Sequence, residues 1–194
     1  MEKYIIIAVA VLVLAVAAVL WKKALESGRR AREIKQREIE YIEREKHLRE
    51  SFRELTDEKI STTGDDELLF GAGMNIQLRI EKAADMTAAF LELPVHEQYI
   101  YTLSFFADDV ADALSEFYRK NGEPLISLAT GALKAVGEDK AGDCARRMYP
   151  MFDGENEEVS FDKEKVEAVD GDFRSDFDRA RFLKNCASYI RTTF

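Results

Sequence analysis

The hydrophobic pattern changes sharply along the chain, and its first part is the most regular. Residues 4–21 read YIIIAVAVLVLAVAAVLW, without a charge or a helix breaker. A helix of this length is about 27 Å long, close to the roughly 30 Å hydrocarbon core of a bilayer. Tyr4 and Trp21 bracket the run, as aromatic residues do at membrane interfaces. The pattern predicts a single-pass transmembrane anchor over residues 1–21. A cleaved signal peptide is the alternative, but the amino-terminal end carries too little positive charge to favour it.

Basic residues follow the apolar run and set its predicted orientation. The membrane-flanking basic residues are Lys22, Lys23, Arg29, Arg30 and Arg32. Because positive charge stays on the cytoplasmic side of membrane proteins, we expect the N-terminus to lie outside. The rest of the chain is then expected on the cytoplasmic side of the plasma (inner) membrane.

Residues 22–64 have no proline and carry dense charge of both signs, which predicts a helical stalk and linker. A helix over 22–60 would hold the next domain about 57 Å from the bilayer. Apolar residues recur every seven positions, at Ile34, Tyr41, Leu48 and Leu55. The companion seam positions are Glu38, Glu45 and Phe52, and two of these three are charged. A weak parallel coiled coil, making a homo-oligomer, and a lone helix acting as a spacer both fit this pattern.

Residues 65–194 show apolar residues at three- and four-residue steps and no sustained two-residue alternation, which predicts an all-α domain. One long helix is predicted from Pro94 to Asn121. The other predicted elements are a helix from Glu123-Pro124 to Gly137, one from Glu138 to about Tyr149, a solvated acidic connection over 153–178, and a last helix from roughly Ser175 to Thr192.

Charge is distributed unevenly between the two parts of the chain. Residues 1–64 hold 13 Lys+Arg and 11 Asp+Glu, a net of +2, whereas residues 65–194 hold 15 and 26, a net of −11. A surface of this sign repels nucleic acid and attracts basic partners. We therefore expect a protein partner, basic in character, and no direct binding of nucleic acid.

The stretch FFADDVADALSEF contains Asp-Asp-x-x-Asp, a spacing that holds Mg²⁺ and diphosphate in isoprenoid-chain enzymes. On one long helix, Asp108, Asp112 and Glu116 share a face opposite the apolar stripe. Because no second acidic cluster has matching spacing, we interpret this run as the solvated outer face of an amphipathic helix. A Mg²⁺-dependent enzyme using this run is the alternative.

The other candidate sites are weaker. Residues 153–164 place acids at positions 1, 3, 5 and 12 of an EF-hand-like loop, but Glu158 occupies the position where the turn requires glycine. Cys144 and Cys186 lie far apart and make no metal-ligand spacing, so we expect buried free thiols. No catalytic residue, metal or cofactor is predicted.

Residues 90–194 resemble a small all-α bacterial family, a domain of unknown function typified by an acidic DNA-mimic protein. The resemblance is carried by VHEQYIYTLSFFADDVADALSEFYRKNG, LATGALKAVGEDKAGDCARRMYPMF and DFRSDFDRARFLKNCASYIRTTF, with Leu114, Phe117, Tyr118 and Asn121 in comparable places. The glycine pair of that family is replaced by Asp112-Ala113. The resemblance implies a partner-binding domain whose carboxylates imitate DNA phosphates toward a basic protein. The candidate carboxylates for that contact are Asp108, Asp109, Asp112 and Glu116.

Together these features predict a membrane-anchored, non-enzymatic protein-binding or scaffold protein. A structural subunit of a larger membrane complex is the alternative within the same class.

Overall fold

The computed structural model describes residues 35–36, 38–111, 113–152 and 162–194. The predicted anchor with Tyr4 and Trp21, and the flanking basic residues, lie outside this part of the chain. Among the residues described, no helix combines the length and the apolar character needed to cross a membrane.

The chain divides into two compact units, Met1–His47 and Leu48–Phe194. The described residues of the first unit, 35–36 and 38–47, are helical. Gln36 Nε2 donates to Glu40 Oε1 at 3.0 Å, one turn further along. Ile39, Tyr41 and Ile42 are exposed large apolar residues of this unit.

The second unit is built of helices, and its described residues contain no strand, which confirms the predicted all-α class. Residues 48–51 are helical, and nine further α-helices follow among the described residues. These are α1 (Asp57–Thr62), α2 (Asp65–Ile80), α3 (Met86–Leu91), α4 (Val95–Asp109), α5 (Leu114–Lys120), α6 (Leu125–Ala135), α7 (Asp139–Met148), α8 (Lys163–Asp176) and α9 (Arg179–Thr193).

Phe106 of α4 lies at the centre of the core and is fully buried. Its ring centroid lies 5.4 Å from that of Phe117, 5.6 Å from that of Phe182, and 6.0 and 6.1 Å from those of Phe177 and Phe173. These neighbours come from α5, α8, α9 and the α8–α9 link. Around this cluster α4 packs between α2 and α6, α9 packs on α2, and α7 packs between α6 and α8.

The compact unit begins before Asp65, where the sequence places the acidic domain, because residues 48–63 contribute to the core. Leu48 is 7% exposed and Phe52 is 3% exposed. Asn75 Nδ2 of α2 donates to the backbone oxygen of Phe52 at 3.0 Å, and Arg191 Nη2 of α9 donates to that of Thr63 at 2.9 Å. Part of the predicted stalk is therefore part of the domain.

The notch that receives Phe52 exists because residue 71 of α2 has no side chain. A Cβ built at Gly71 would lie 2.3 Å from the Phe52 ring, whereas one built at Gly171 of α8 meets nothing within 4 Å. Both glycines lie inside helices, so the same substitution isolates the contact. We expect Gly71→Ala to lower the free energy of unfolding by about 1–3 kcal/mol through overpacking. We expect Gly171→Ala to raise it by about 0.5–1 kcal/mol through helix propensity.

Chemical denaturation of the full chain in detergent, followed by far-UV circular dichroism, measures both changes. Equal shifts of the same sign would show that Phe52 does not occupy the notch.

The single long helix predicted from Pro94 to Asn121 is wrong, since the chain leaves helical geometry between α4 and α5. Val110 has φ −84° and ψ 50°, and Ala113 is extended. The cause is a partner distant in sequence: Ser115 donates from its backbone nitrogen to Asp170 Oδ1 at 2.9 Å and from its hydroxyl to Asp170 Oδ2 at 2.6 Å. A carboxylate of α8 thus satisfies a donor at the start of α5 that a continuous helix would have satisfied internally.

The acidic connection predicted over 153–178 is also wrong for its described part, because Lys163–Asp176 form α8. Val166, Val169 and Phe173 recur at helical spacing and are buried against the core. The last helix accordingly begins at Arg179, after Asp178 accepts from the backbone nitrogen of Arg181 at 2.8 Å, and not near Ser175. The predicted helices that became α6 and α7 are confirmed.

Candidate functional site

The predicted partner-binding carboxylates lie around the junction of α4 and α5. Asp108, at the end of α4, and Glu116, in the first turn of α5, are exposed on two separate helices. Asp112 lies outside the described residues. The single helical face expected for these residues is therefore broken into two, although the junction keeps them in one region of the chain.

Asp109 is held inside the domain by two side chains at the end of α5. Asn121 Nδ2 donates to Asp109 Oδ2 at 2.7 Å, and Lys120 Nζ lies 3.1 Å from Oδ1. The side chain is 16% exposed. Asp109 therefore ties the end of α5 to the end of α4, and Asp108 and Glu116 are the described carboxylates of this group that face solvent.

Acidic residues at the end of α4 oppose the helix dipole, which favours cations at a C-terminus. Arg179 supplies one, since its Nη1 donates to the backbone oxygen of Ala107. The same contact holds the start of α9 against the end of α4.

A cleft of about 370 Å³ opens between α7 and α8. Its floor contains Ala141, Cys144, Phe173 and Phe177, and its rim contains charged side chains of both helices. The cationic rim residues come from α7 and are Lys140, Arg146 and Arg147. The anionic ones are Asp143 of α7 with Asp172 and Asp176 of α8.

Two ion pairs cross this cleft from α7 to α8. Arg147 Nη2 lies 2.8 Å from Asp172 Oδ2, and Lys140 pairs with Asp176. Arg147 Nη2 also donates to Cys144 Sγ at 3.4 Å. The hydrogen bond from Lys134 holds the pKa of the Asp143 carboxyl below its usual range. The cleft can hold an apolar side chain over Cys144 and Phe173, between charged side chains of α7 and α8.

The sequence did not reveal this cleft, because α8 was interpreted as a solvated connection. The helical spacing of Val166, Val169 and Phe173 was the signal that could have shown it.

Glu138, the buried residue immediately before α7, has a structural role. Glu138 is 3% exposed and accepts from Arg181 Nε at 3.1 Å, from Arg181 Nη2 at 2.9 Å and from Asn185 Nδ2 at 2.9 Å. Burial raises the pKa of the neighbouring Cys186 thiol well above its usual range, which keeps it protonated and unreactive. Cys144 and Cys186 are free and buried, as the sequence predicts.

Most cations of the acidic part are paired inside the domain. Those with an Asp or Glu oxygen within 4.0 Å are Arg79, Lys120, Lys134, Lys140, Arg146, Arg147, Lys165, Arg181 and Arg191. Since acids outnumber bases by 11 over residues 65–194, pairing the bases leaves the excess acid without an internal cation. The domain therefore presents a net negative charge to solvent or to a partner.

No protein-family model matches the chain, and no curated protein or solved structure is significantly similar to it. The resemblance of residues 90–194 to the acidic DNA-mimic family thus stays an expectation. In the part of the chain that the structure describes, no three His, Cys, Asp or Glu side chains are grouped to hold a metal ion. Residues 153–161 of the EF-hand-like loop lie outside that part.

Proposed function

We propose that the chain is a membrane-anchored protein-binding or scaffold protein that presents an acidic helical domain on the cytoplasmic side. The apolar run over 4–21, with positive charge after it, supports the anchor and its orientation. Protease added outside intact cells is expected to leave the domain uncut. Digestion of the domain under those conditions would place it on the other side of the membrane.

One observation carries the binding role: acids outnumber bases by 11 over residues 65–194, and most of those bases already pair with acids inside the domain. A net acidic surface steers positively charged proteins toward it and accelerates their association. The carboxylates assigned to the contact are Asp108 and Glu116, with Asp112 as the third. No bond need form or break, because these groups act as fixed charges.

Charge-neutralising variants test this surface with a defined basic probe. The full chain is purified in detergent, and its binding of a fluorescent deca-lysine peptide is measured by anisotropy at low salt. We expect Asp108→Asn with Glu116→Gln to weaken binding several-fold, because each exposed ion pair contributes up to about 1 kcal/mol. The matched control is Glu92→Gln with Glu164→Gln, which removes the same charge from exposed positions at the end of α3 and in the first turn of α8.

Equal weakening by both double variants would show that only net charge matters and would reject the assigned contact. Absence of binding by the unaltered chain would reject the proposed function itself. Proteins that co-purify with the full chain then define the role: a basic DNA-binding protein fits mimicry of DNA, and other membrane subunits fit a structural part in a larger assembly.

A further inference from the structure

Leu48, Phe52 and Leu55 fit two different environments, the core of the domain and the seam of a coiled coil. In the sequence, Leu48, Phe52 and Leu55 are spaced by four and three residues and are consecutive positions of the heptad pattern. In the structure, Leu48 and Phe52 are buried in the domain and Leu55 packs against the same core. One side chain cannot occupy both places at once.

The docked arrangement is well defined by its contacts. The Phe52 ring lies over Gly71, and Asn75 Nδ2 donates to the backbone oxygens of Phe52 and Arg53 at 3.0 and 3.2 Å. Lys59 Nζ donates to the backbone oxygen of Glu54 at 2.9 Å. Helical geometry ends at residue 51, so that this turn can fold back onto α2.

The alternative arrangement is a parallel seam between two copies of this chain. Upstream, the companion heptad positions are Glu38 and Glu45, which weaken a seam, whereas residues 48, 52 and 55 are all apolar. The most apolar part of the heptad pattern is thus the part that the domain buries. Using it between copies would require helix through Leu55 and release of Phe52 from the notch.

We propose that residues 48–55 form a two-state element, docked on α2 in the single chain and released into a seam when two copies associate. The inference rests on the stalk of the proposed function, but not on the acidic surface. Because the two states exclude each other, docking and association are reciprocally coupled. Association vacates the notch at Gly71 and frees the Asn75 amide from the two backbone oxygens, which opens a surface that the single chain keeps covered.

Disulfide formation at residue 55 distinguishes the two states. In a seam, residue 55 of each copy faces its counterpart, whereas docked copies hold it against their own cores. The full chain carrying Leu55→Cys is oxidised in detergent, and the disulfide-linked dimer is measured on non-reducing gels. We expect Gly71→Leu, which blocks the notch, to increase the dimer at least about fivefold. Gly171→Leu is the matched control, since a side chain there meets no neighbour at its Cβ, and it should leave the yield unchanged.

A second route avoids any change inside the domain. Glu38→Leu with Glu45→Leu completes the apolar seam upstream, and Tyr41→Cys reports association there. We expect disulfide yield at residue 55 to rise together with that at residue 41. The proposal is overturned when residue 41 becomes linked while residue 55 does not, or when neither route links residue 55. Neither result bears on the deca-lysine measurement, so failure of this element and failure of the acidic surface remain separate.

Discussion

Phe106→Ala is expected to lower the free energy of unfolding by about 3–5 kcal/mol, which makes it the most damaging of the substitutions considered. The residue is fully buried, and its ring contacts aromatic rings from α5, α8, α9 and the link between the last two. Removing it leaves a cavity at the point where these helices meet, and aromatic pairs contribute beyond the area they bury.

Urea denaturation of the full chain in detergent, followed by far-UV circular dichroism, measures this loss. Leu91→Ala is the control, because Leu91 is also a large apolar residue but is 55% exposed. It should change the free energy of unfolding by less than about 0.5 kcal/mol, as exposed substitutions generally do. Similar losses for the two variants would contradict the central position of Phe106.

Arg181→Met is expected to lower the free energy of unfolding by about 2–4 kcal/mol, because it leaves a buried carboxylate without its cation. Glu138 would keep only the hydrogen bond from Asn185 at 2.9 Å. The guanidinium is itself 47% exposed, so the expected loss is smaller than for a wholly buried pair. The methionine retains most of the side-chain volume, and the loss therefore reports mainly on charge and hydrogen bonding.

A double-mutant cycle with Glu138→Gln isolates this interaction. Glutamine has no charge to strand, so Arg181→Met should cost less in that background than in the unaltered chain. Arg146→Met serves as the control for loss of an exposed arginine, since Arg146 is 66% exposed and lies 3.7 Å from Asp143. Strict additivity of the two single changes would show that Glu138 and Arg181 are not coupled.

The sequence predicts those helices whose ends are marked locally. Pro124 precedes α6, Gly137 follows it with φ +80°, and Pro150 follows α7, so these boundaries could be read without knowledge of the fold. Pattern alone also identifies the all-α class, because helical spacing of apolar residues persists through most of residues 65–194.

Features that depend on distant partners could not be predicted in this way. The break between α4 and α5 depends on Asp170, which is 55 residues away from Ser115 along the chain. The acidic composition around α8 led to the prediction of a solvated connection there, although Val166 and Phe173 follow helical spacing. In the candidate site, the exposure of Asp108 and Glu116 was predicted. Their placement on two helices, and the engagement of Asp109 by Lys120 and Asn121, depend on the break between α4 and α5.

The compact unit starts at Leu48, which shortens the spacer expected between the domain and the predicted membrane anchor. Only residues 22–47 are left as a spacer, and as a helix they would reach about 39 Å, compared with about 57 Å for the longer stalk. With the proposed anchor in the bilayer, a shorter arm would confine the acidic surface to a thin layer beneath the headgroups. Proteins held at the membrane surface would therefore meet it at a higher local concentration than proteins dispersed through the cell interior.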